Sequence, residues 1–268
     1  MTLSIAIAGA AGRMGQTLVR AASDDARFQI VGVTERPGAS ALGVDVGILS
    51  GLPASGISAV EEVHAAAASA DVWLDFTAPS ATLLALEGLR ETRVRAAIVG
   101  TTGLSPEQED QVAEAAKRIA IVRSGNFSLG VNLLAALVRQ AARRLGPDWD
   151  IEISETHHRR KIDAPSGTAF MFGEAAAEGR DVSLATTRLP PYDRATAARA
   201  IGGIGFSVRR GGGVVGDHEV SFLAERECIT LSHRALDRAL FADGALAAAL
   251  WADNKPAGLY SMSDVLGL

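Results

Sequence analysis

Cysteine is nearly missing from this chain of 268 residues, which carries only Cys228. One thiol excludes an intramolecular disulfide framework and fits a reducing, cytoplasmic compartment. It lies in Glu227-Cys-Ile-Thr-Leu-Ser232, whose strand-like alternation predicts a packed thiol rather than a nucleophile. Positive charge is not in excess either. The 26 Lys and Arg face 31 Asp and Glu, and a net charge of −5 offers no basic field for nucleic acid. Long apolar runs are lacking, since Ala65–Ala68 and Ala245–Ala249 are too short and interrupted to span a bilayer. The opening Thr2-Leu-Ser-Ile-Ala-Ile-Ala8 has none of the features of a secretory signal. No internal repeat, low-complexity linker or disordered tail is visible. A soluble cytoplasmic protein is expected, with no nucleic-acid or membrane partner, built as one large domain or two modest ones.

The apolar run Ser4–Ala8 suits a buried parallel strand and feeds Gly9-Ala10-Ala11-Gly12-Arg13-Met14-Gly15, after which Gln16–Ser23 reads as a helix. Glycines at this spacing permit a tight turn and let the backbone approach a pyrophosphate at the helix start. A second strand, Phe28–Thr34, ends at Glu35-Arg36. Glu35 stands where an acidic residue commonly accepts from the adenosine ribose, whereas Arg36 would pair with a 2′-phosphate. NADH and NADPH are therefore both open as cofactors.

Strands and helices go on alternating. Asp71–Phe76 ends at Thr77, Arg95–Val99 at Gly100-Thr101-Thr102-Gly103, and Ile119–Arg123 at Ser124-Gly125-Asn126-Phe127-Ser128. Helices are expected at Pro79–Arg90 and from a Ser105 cap to about Lys117. This succession predicts an α/β, Rossmann-like, doubly wound parallel sheet, in which those three strand ends line a cofactor trough.

From Gly130 the rhythm changes. A helix at Val131–Leu145 and a strand at Asp150–Ser154 precede strand-like pieces at Val182–Thr187, Gly205–Arg209, Glu219–Leu223 and Cys228–Ser232. Pro190–Ala200 reads as a surface loop with a short helix. These predict a second α+β domain with a mostly antiparallel (mixed) sheet. The Ala-rich helix Phe241–Ala252 would return to the first domain. Residues 1–128 and 241–268 would then form the dinucleotide-binding domain, and 129–240 a substrate-binding and oligomerisation domain.

Between these halves lies Glu155-Thr-His-His-Arg-Arg-Lys-Ile-Asp-Ala-Pro-Ser-Gly-Thr-Ala169. His157, His158 and Lys161 are tunable proton donors, and Asp163 would orient one of the cations. A helix opening near Gly167 and Thr168 would aim backbone N–H groups at an anion. A metal site is disfavoured, because adjacent histidines point apart on a strand and no Glu-x-x-His or cysteine pair adds ligands.

This run resembles the active-site motif of the dihydrodipicolinate reductase family. Gly9–Gly15, Glu35-Arg36, Phe76-Thr77, Gly100–Gly103, Gly125–Asn132, Arg210-Gly-Gly, Gly216-Asp-His218 and the closing Gly258–Gly267 follow that family's order. Departures are small: Ala11 stands where some members have glycine, and Ser124-Gly125 where some have two alanines. The resemblance implies that NAD(P)H reduces the cyclic product of dihydrodipicolinate synthase, a small dicarboxylate, with loss of water. It implies a proton from His157 or Lys161, substrate contacts from His158, Gly167, Thr168 and Thr102, and a homotetramer. His218 and His233 read as structural, and Arg210 equally as a turn residue or a substrate contact.

Rival readings meet obstacles. A short-chain dehydrogenase needs Tyr-x-x-x-Lys, yet Tyr192 is followed by Thr196 and Tyr260 by Asp264. A phosphorylating semialdehyde dehydrogenase needs a cysteine nucleophile, and Cys228 has the wrong context. A non-catalytic nucleotide sensor has no need of a His-His-Lys cluster.

Overall fold

The computed structural model describes residues 2–191 and 198–268. The chain forms two compact units: Met1–Leu129 with Ala239–Gly267, and Gly130–Arg238 with Leu268.

The first unit runs β1 (Leu3–Ala8), α1 (Arg13–Ser23), β2 (Phe28–Thr34), α2 (Val46–Leu49), α3 (Val63–Ala67) and β3 (Val72–Asp75). It continues with α4 (Pro79–Gly88), a 3-10 turn (Leu89–Glu91), β4 (Ala96–Val99), α5 (Pro106–Ala115) and β5 (Ala120–Arg123). Strands β3, β4 and β5 are apolar on both faces because helices cover both sides of the sheet. On one side Ile5, Ile7, Leu74, Ile98 and Val122 pack with Leu18 of α1. On the other, Trp73, Val99 and Ile121 pack with Leu86 of α4 and Val112 of α5. Helix α5 starts at a capping box between Ser105 and Gln108, as its sequence predicts.

The second unit contains α6 (Leu129–Leu145), β6 (Asp150–His157), α7 (Gly167–Gly179), α8 (Leu184–Thr187), β7 (Ile204–Arg210), β8 (Gly216–Leu223) and β9 (Cys228–Ala235). Its sheet order is β7-β6-β8-β9, with β6–β7 parallel and the other two pairings antiparallel. Burial alternates strictly along β6, so Ile151, Ile153, Glu155 and His157 share the covered face. The first two join Val138, Phe172, Val220 and Phe222 in the core. The same pleat therefore carries an acid and an imidazole onto the side where α7 packs.

The chain then returns to the first unit as α9 (Ala239–Ala252), β10 (Gly258–Tyr260) and α10 (Met262–Leu266). Ala245 and Leu246 of α9 join the core with α1, and β10 adds a sixth parallel strand beside β5. The completed order is β10-β5-β4-β3-β1-β2, which places the topological switch between β1 and β3.

Three expectations need correction. Val182–Thr187 is not a strand: Thr186 and Thr187 both donate backbone N–H to the Ser183 carbonyl, making the single turn α8, with Leu184 buried. Cys228 is exposed rather than packed, because it begins β9 at the sheet's outer edge. Strand β6 runs three residues beyond Ser154 and so includes His157 itself. The expected Pro190–Ala200 loop and helix fall largely on 192–197, outside the described residues.

Gly244 of α9 lies so close to Phe127 that an added Cβ would fall on the Phe127 carbonyl oxygen. Gly244→Ala should cost about 1–3 kcal/mol by urea unfolding, the usual penalty of overpacking. Gly125→Ala, whose Cβ would meet nothing within 4 Å, should stay near wild type. Equal midpoints for the two variants would contradict this packing.

Candidate active site

The glycine turn after β1 is built from backbone. Gly9 has φ +63° and its carbonyl accepts the Gly12 N–H at 2.9 Å, and any Cβ at Gly15 would strike that same carbonyl. Helix α1 begins behind Gly12 with no side-chain cap. Glu35, just past the end of β2, accepts the Ala11 N–H at 2.6 Å and so braces the turn. A cleft of about 620 Å³ opens there, lined among others by Gly9, Gly12, Glu35, Arg36, Phe76 and Thr77.

The neighbouring strand ends join this cleft through a buried polar knot. Asp75, only 1% exposed, accepts from the Thr77 hydroxyl (2.6 Å), the Thr77 N–H (3.1 Å) and the hydroxyls of Thr82 (3.1 Å) and Thr101 (3.2 Å). Gly100 is required beside it, because a Cβ there would enter the Phe76 ring. Phe127 meets Phe76 edge-on at 5.2 Å. In the next turn Ser124 Oγ accepts the Asn126 N–H at 3.1 Å, while Asn126 Oδ1 accepts the Ser128 N–H at 2.9 Å. Thus Gly100, Thr101, Ser124, Gly125, Asn126 and Phe127 flank the cleft rather than line it. Thr102 is exposed. Met14 packs on the core, and Arg13 is exposed on the first turn of α1. A glycine turn at the switch point, an open helix start and an acid after β2 suit a dinucleotide.

In the second unit the hub is Glu155, 1% exposed. Its Oε2 takes His157 Nδ1 and Arg210 Nη1, each at 2.6 Å. Its Oε1 takes Arg210 Nη2 at 2.8 Å and the Ser166 N–H at 3.0 Å. Burial works to raise the Glu155 pKa. The hydrogen bonds from Arg210 and His157, with their charges, outweigh burial and hold it below the ordinary carboxylate value. The carboxylate is therefore ionised, and the proton on its bond to His157 belongs to Nδ1.

Arg210 does more than bind Glu155. It donates to the carbonyls of Lys161 (3.3 Å) and Asp163 (2.6 Å), tying down the loop that carries Lys161. Lys161 Nζ pairs with Asp163 at 2.8 Å. His158 donates its N–H to the Val214 carbonyl at 2.7 Å and places Nε2 3.4 Å from Arg238. Burial and the nearby Arg160 and Arg238 lower its pKa, which favours the neutral ring.

Ser166 caps α7 by accepting the Ala169 N–H at 3.1 Å, so Gly167 and Thr168 form the first turn of that helix. The same hydroxyl meets His218 Nε2 at 3.0 Å. His218 stands edge-on to His157 with ring centroids 5.0 Å apart, and burial pushes its pKa down to about 4. His157, the Lys161 loop and the helix start at Gly167 and Thr168 thus come together around Glu155, whereas the His158 ring meets Arg238. His233 pairs across the strands with His218.

Glu155 and Asp75 escaped the sequence reading, and Arg210 was only half seen. The signal for Glu155 was present: two residues before His157 on a strand means the same face. Arg210 lies opposite His157 only through the β6–β7 register, which spans 53 positions of sequence and has no local mark.

The parallel sheet with its glycine turn and the separate imidazole-bearing sheet define the class: a Rossmann-type, nicotinamide-dependent oxidoreductase. Residues 3–127 match the family description "Dihydrodipicolinate reductase, N-terminus", and residues 130–266 match "Dihydrodipicolinate reductase, C-terminus". The chain belongs to the dihydrodipicolinate reductase family. It is 50% identical over 264 residues to a 4-hydroxy-tetrahydrodipicolinate reductase of Cereibacter sphaeroides, covering 98% of each chain. A Bradyrhizobium diazoefficiens protein of the same name is 50% identical over 266 residues, covering 99% of this chain and 98% of that protein. Among solved structures, a dipicolinate-bound dihydrodipicolinate reductase from Paenisporosarcina sp. TG-14 aligns with TM-score 0.77 at 25% identity, over 97% of this chain and 98% of that one. An amine dehydrogenase from Mycobacterium smegmatis (TM-score 0.66, 15% identity, 97% and 95% covered) shares the fold.

His218 sets a pH dependence of stability. Between pH 6.5, its ordinary pKa, and about 4 the unfolded chain holds a proton there that the folded chain does not. Stability from this group is therefore full above that window and falls by about 3 kcal/mol as pH drops through it. Urea unfolding of His218→Gln from pH 7 to 4 should show a correspondingly shallower loss than wild type. Parallel curves would contradict it.

Proposed function

We propose that the chain reduces 4-hydroxy-tetrahydrodipicolinate to tetrahydrodipicolinate, with loss of water, using NADH or NADPH, in diaminopimelate and lysine biosynthesis. The single observation that carries this reading is the buried Glu155 with His157, the Lys161 loop and the start of α7 all attached to it. The curated relatives' names and the dipicolinate seen in a solved relative support the substrate class.

The substrate ring carries two carboxylates. Lys161 and the first turn of α7 at Gly167 and Thr168 answer them with an ammonium charge and amide donors. His158 and Thr102 complete the substrate contacts. The nicotinamide supplies a hydride when bound, held through Gly9–Gly15 and the strand ends Phe76-Thr77, Gly100–Thr102 and Ser124–Phe127. Reduction of the C=C–C=N system by hydride also requires a proton, and His157 Nε2 delivers it while Nδ1–H stays on Glu155. Lys161 stabilises the developing charge.

Glu35 would accept from the adenosine ribose and Arg36 would face a 2′-phosphate, which supports NADH or NADPH as the cofactor. The open face of the second sheet, where Leu223 is 38% exposed, would assemble a cytoplasmic homotetramer.

Absorbance of NADH, followed after adding the synthase with pyruvate and aspartate semialdehyde, should fall with this chain present. His157→Gln and Lys161→Ala should each lower turnover by ~10²–10⁴-fold, the contribution of a positioned acid. NADH affinity by fluorescence titration should change little in either. Unchanged turnover in both variants would refute the assignment. In paired titrations, binding of neither dinucleotide would refute the cofactor reading.

A further inference from the structure

We propose that Glu155 is a positioning residue for the reaction, a braced carboxylate that holds the His157 Nδ1 proton so that Nε2 alone is presented for proton transfer. The inference rests on the reading of His157 as the proton donor and adds the residue through which that donor is aimed.

The geometry is that of an orienting pair rather than a bare ion pair. A structural Glu155–Arg210 bridge would need only the guanidinium fork. Here Oε2 is shared between that fork and His157 Nδ1, at 2.6 Å to each. A flip of the imidazole would set a carbon against the carboxylate and forfeit a charge-assisted bond. Among the described residues, Glu155 is the carboxylate that His157 hydrogen-bonds. His218 opposes it edge-on, His158 follows it in the chain, and Arg210 and the Lys161 loop close the remaining side.

Gly216, at the start of β8, lies against the far side of the ring of His157, which is 8% exposed. A Cβ built there would lie 3.0 Å from His157 Nε2. Among the described residues Nε2 makes no hydrogen bond, whereas Nδ1 is committed. Proton bookkeeping follows from this. When Nε2–H is given to substrate, the neutral ring left behind carries its proton on Nδ1, already bonded to Glu155, so the tautomer needs no rearrangement.

The experiment is 15N NMR of the histidine side chains of the full-length protein, with His157 assigned by its loss in His157→Gln, alongside steady-state kinetics. In the neutral form of the wild-type ring, His157 should be protonated at Nδ1 and free at Nε2. In Glu155→Gln the proton should move at least partly to Nε2, with kcat lowered by roughly 10²-fold and KM near wild type, the low end of what a positioned acid contributes. Glu155→Asp, which restores the charge, should recover part of that loss. A wild-type ring protonated at Nε2 overturns the proposal without need of any variant. So does an unshifted tautomer in folded Glu155→Gln, or a shifted tautomer with unchanged kcat. Full turnover in His157→Gln, by contrast, would defeat the underlying assignment of the proton donor, and is read separately.

Discussion

A carboxylate buried to 1% exposure is unfavourable unless its lone pairs are met, and Glu155 meets that demand with four donors. The three segments proposed to form the site in the second unit are each attached to one of them. His157 hangs from Nδ1, the α7 start from the Ser166 N–H, and the Lys161 loop from Arg210. Removing one member of a buried pair of this kind costs about 3–5 kcal/mol, because the other is left uncompensated. The energy that seats the carboxylate is also the energy that fixes the imidazole, the ammonium loop and the helix end with respect to each other.

The first unit solves a different problem with similar means. A dinucleotide needs backbone amides close to phosphate, so side chains must be removed where the chain turns, and Gly9, Gly12 and Gly15 do this. The strand ends that follow must then be held without side-chain bulk in the cleft. Asp75 gathers Thr77, Thr82 and Thr101, and the buried Phe127 backs Phe76 edge-on. In both units a buried acid organises the loops and the exposed groups are left to meet ligand.

Much of this is legible in the sequence where structure is local. The run from Ser4 to Ser23 reads directly as strand, glycine turn and helix, because period, turn residues and helix start lie within twenty positions. The stretch from Glu155 to Ala169 announces its chemistry in the same way. What escapes is non-local or short. β10 is three residues long and becomes a strand only because β5 offers an open edge. Val182–Thr187 alternates like a strand, but Ser183 captures two amides and curls it. Cys228 sits in an alternating pattern, but its edge strand begins with three exposed residues. Arg210 looks like the first residue of a glycine turn, and only parallel pairing with β6 shows it to be the brace of the site.

The central claim is that the imidazole and the ammonium loop, aimed from one buried carboxylate, grip a doubly anionic ring. The most direct measurement is a crystal structure of this chain with dipicolinate and a bound dinucleotide. It should show the ring's carboxylates on Lys161 and on the Gly167–Thr168 turn, with the ring facing His157 Nε2 and the Glu155 bond to Nδ1 intact. A dicarboxylate bound elsewhere, or held there with His157 turned away from it, would contradict the account.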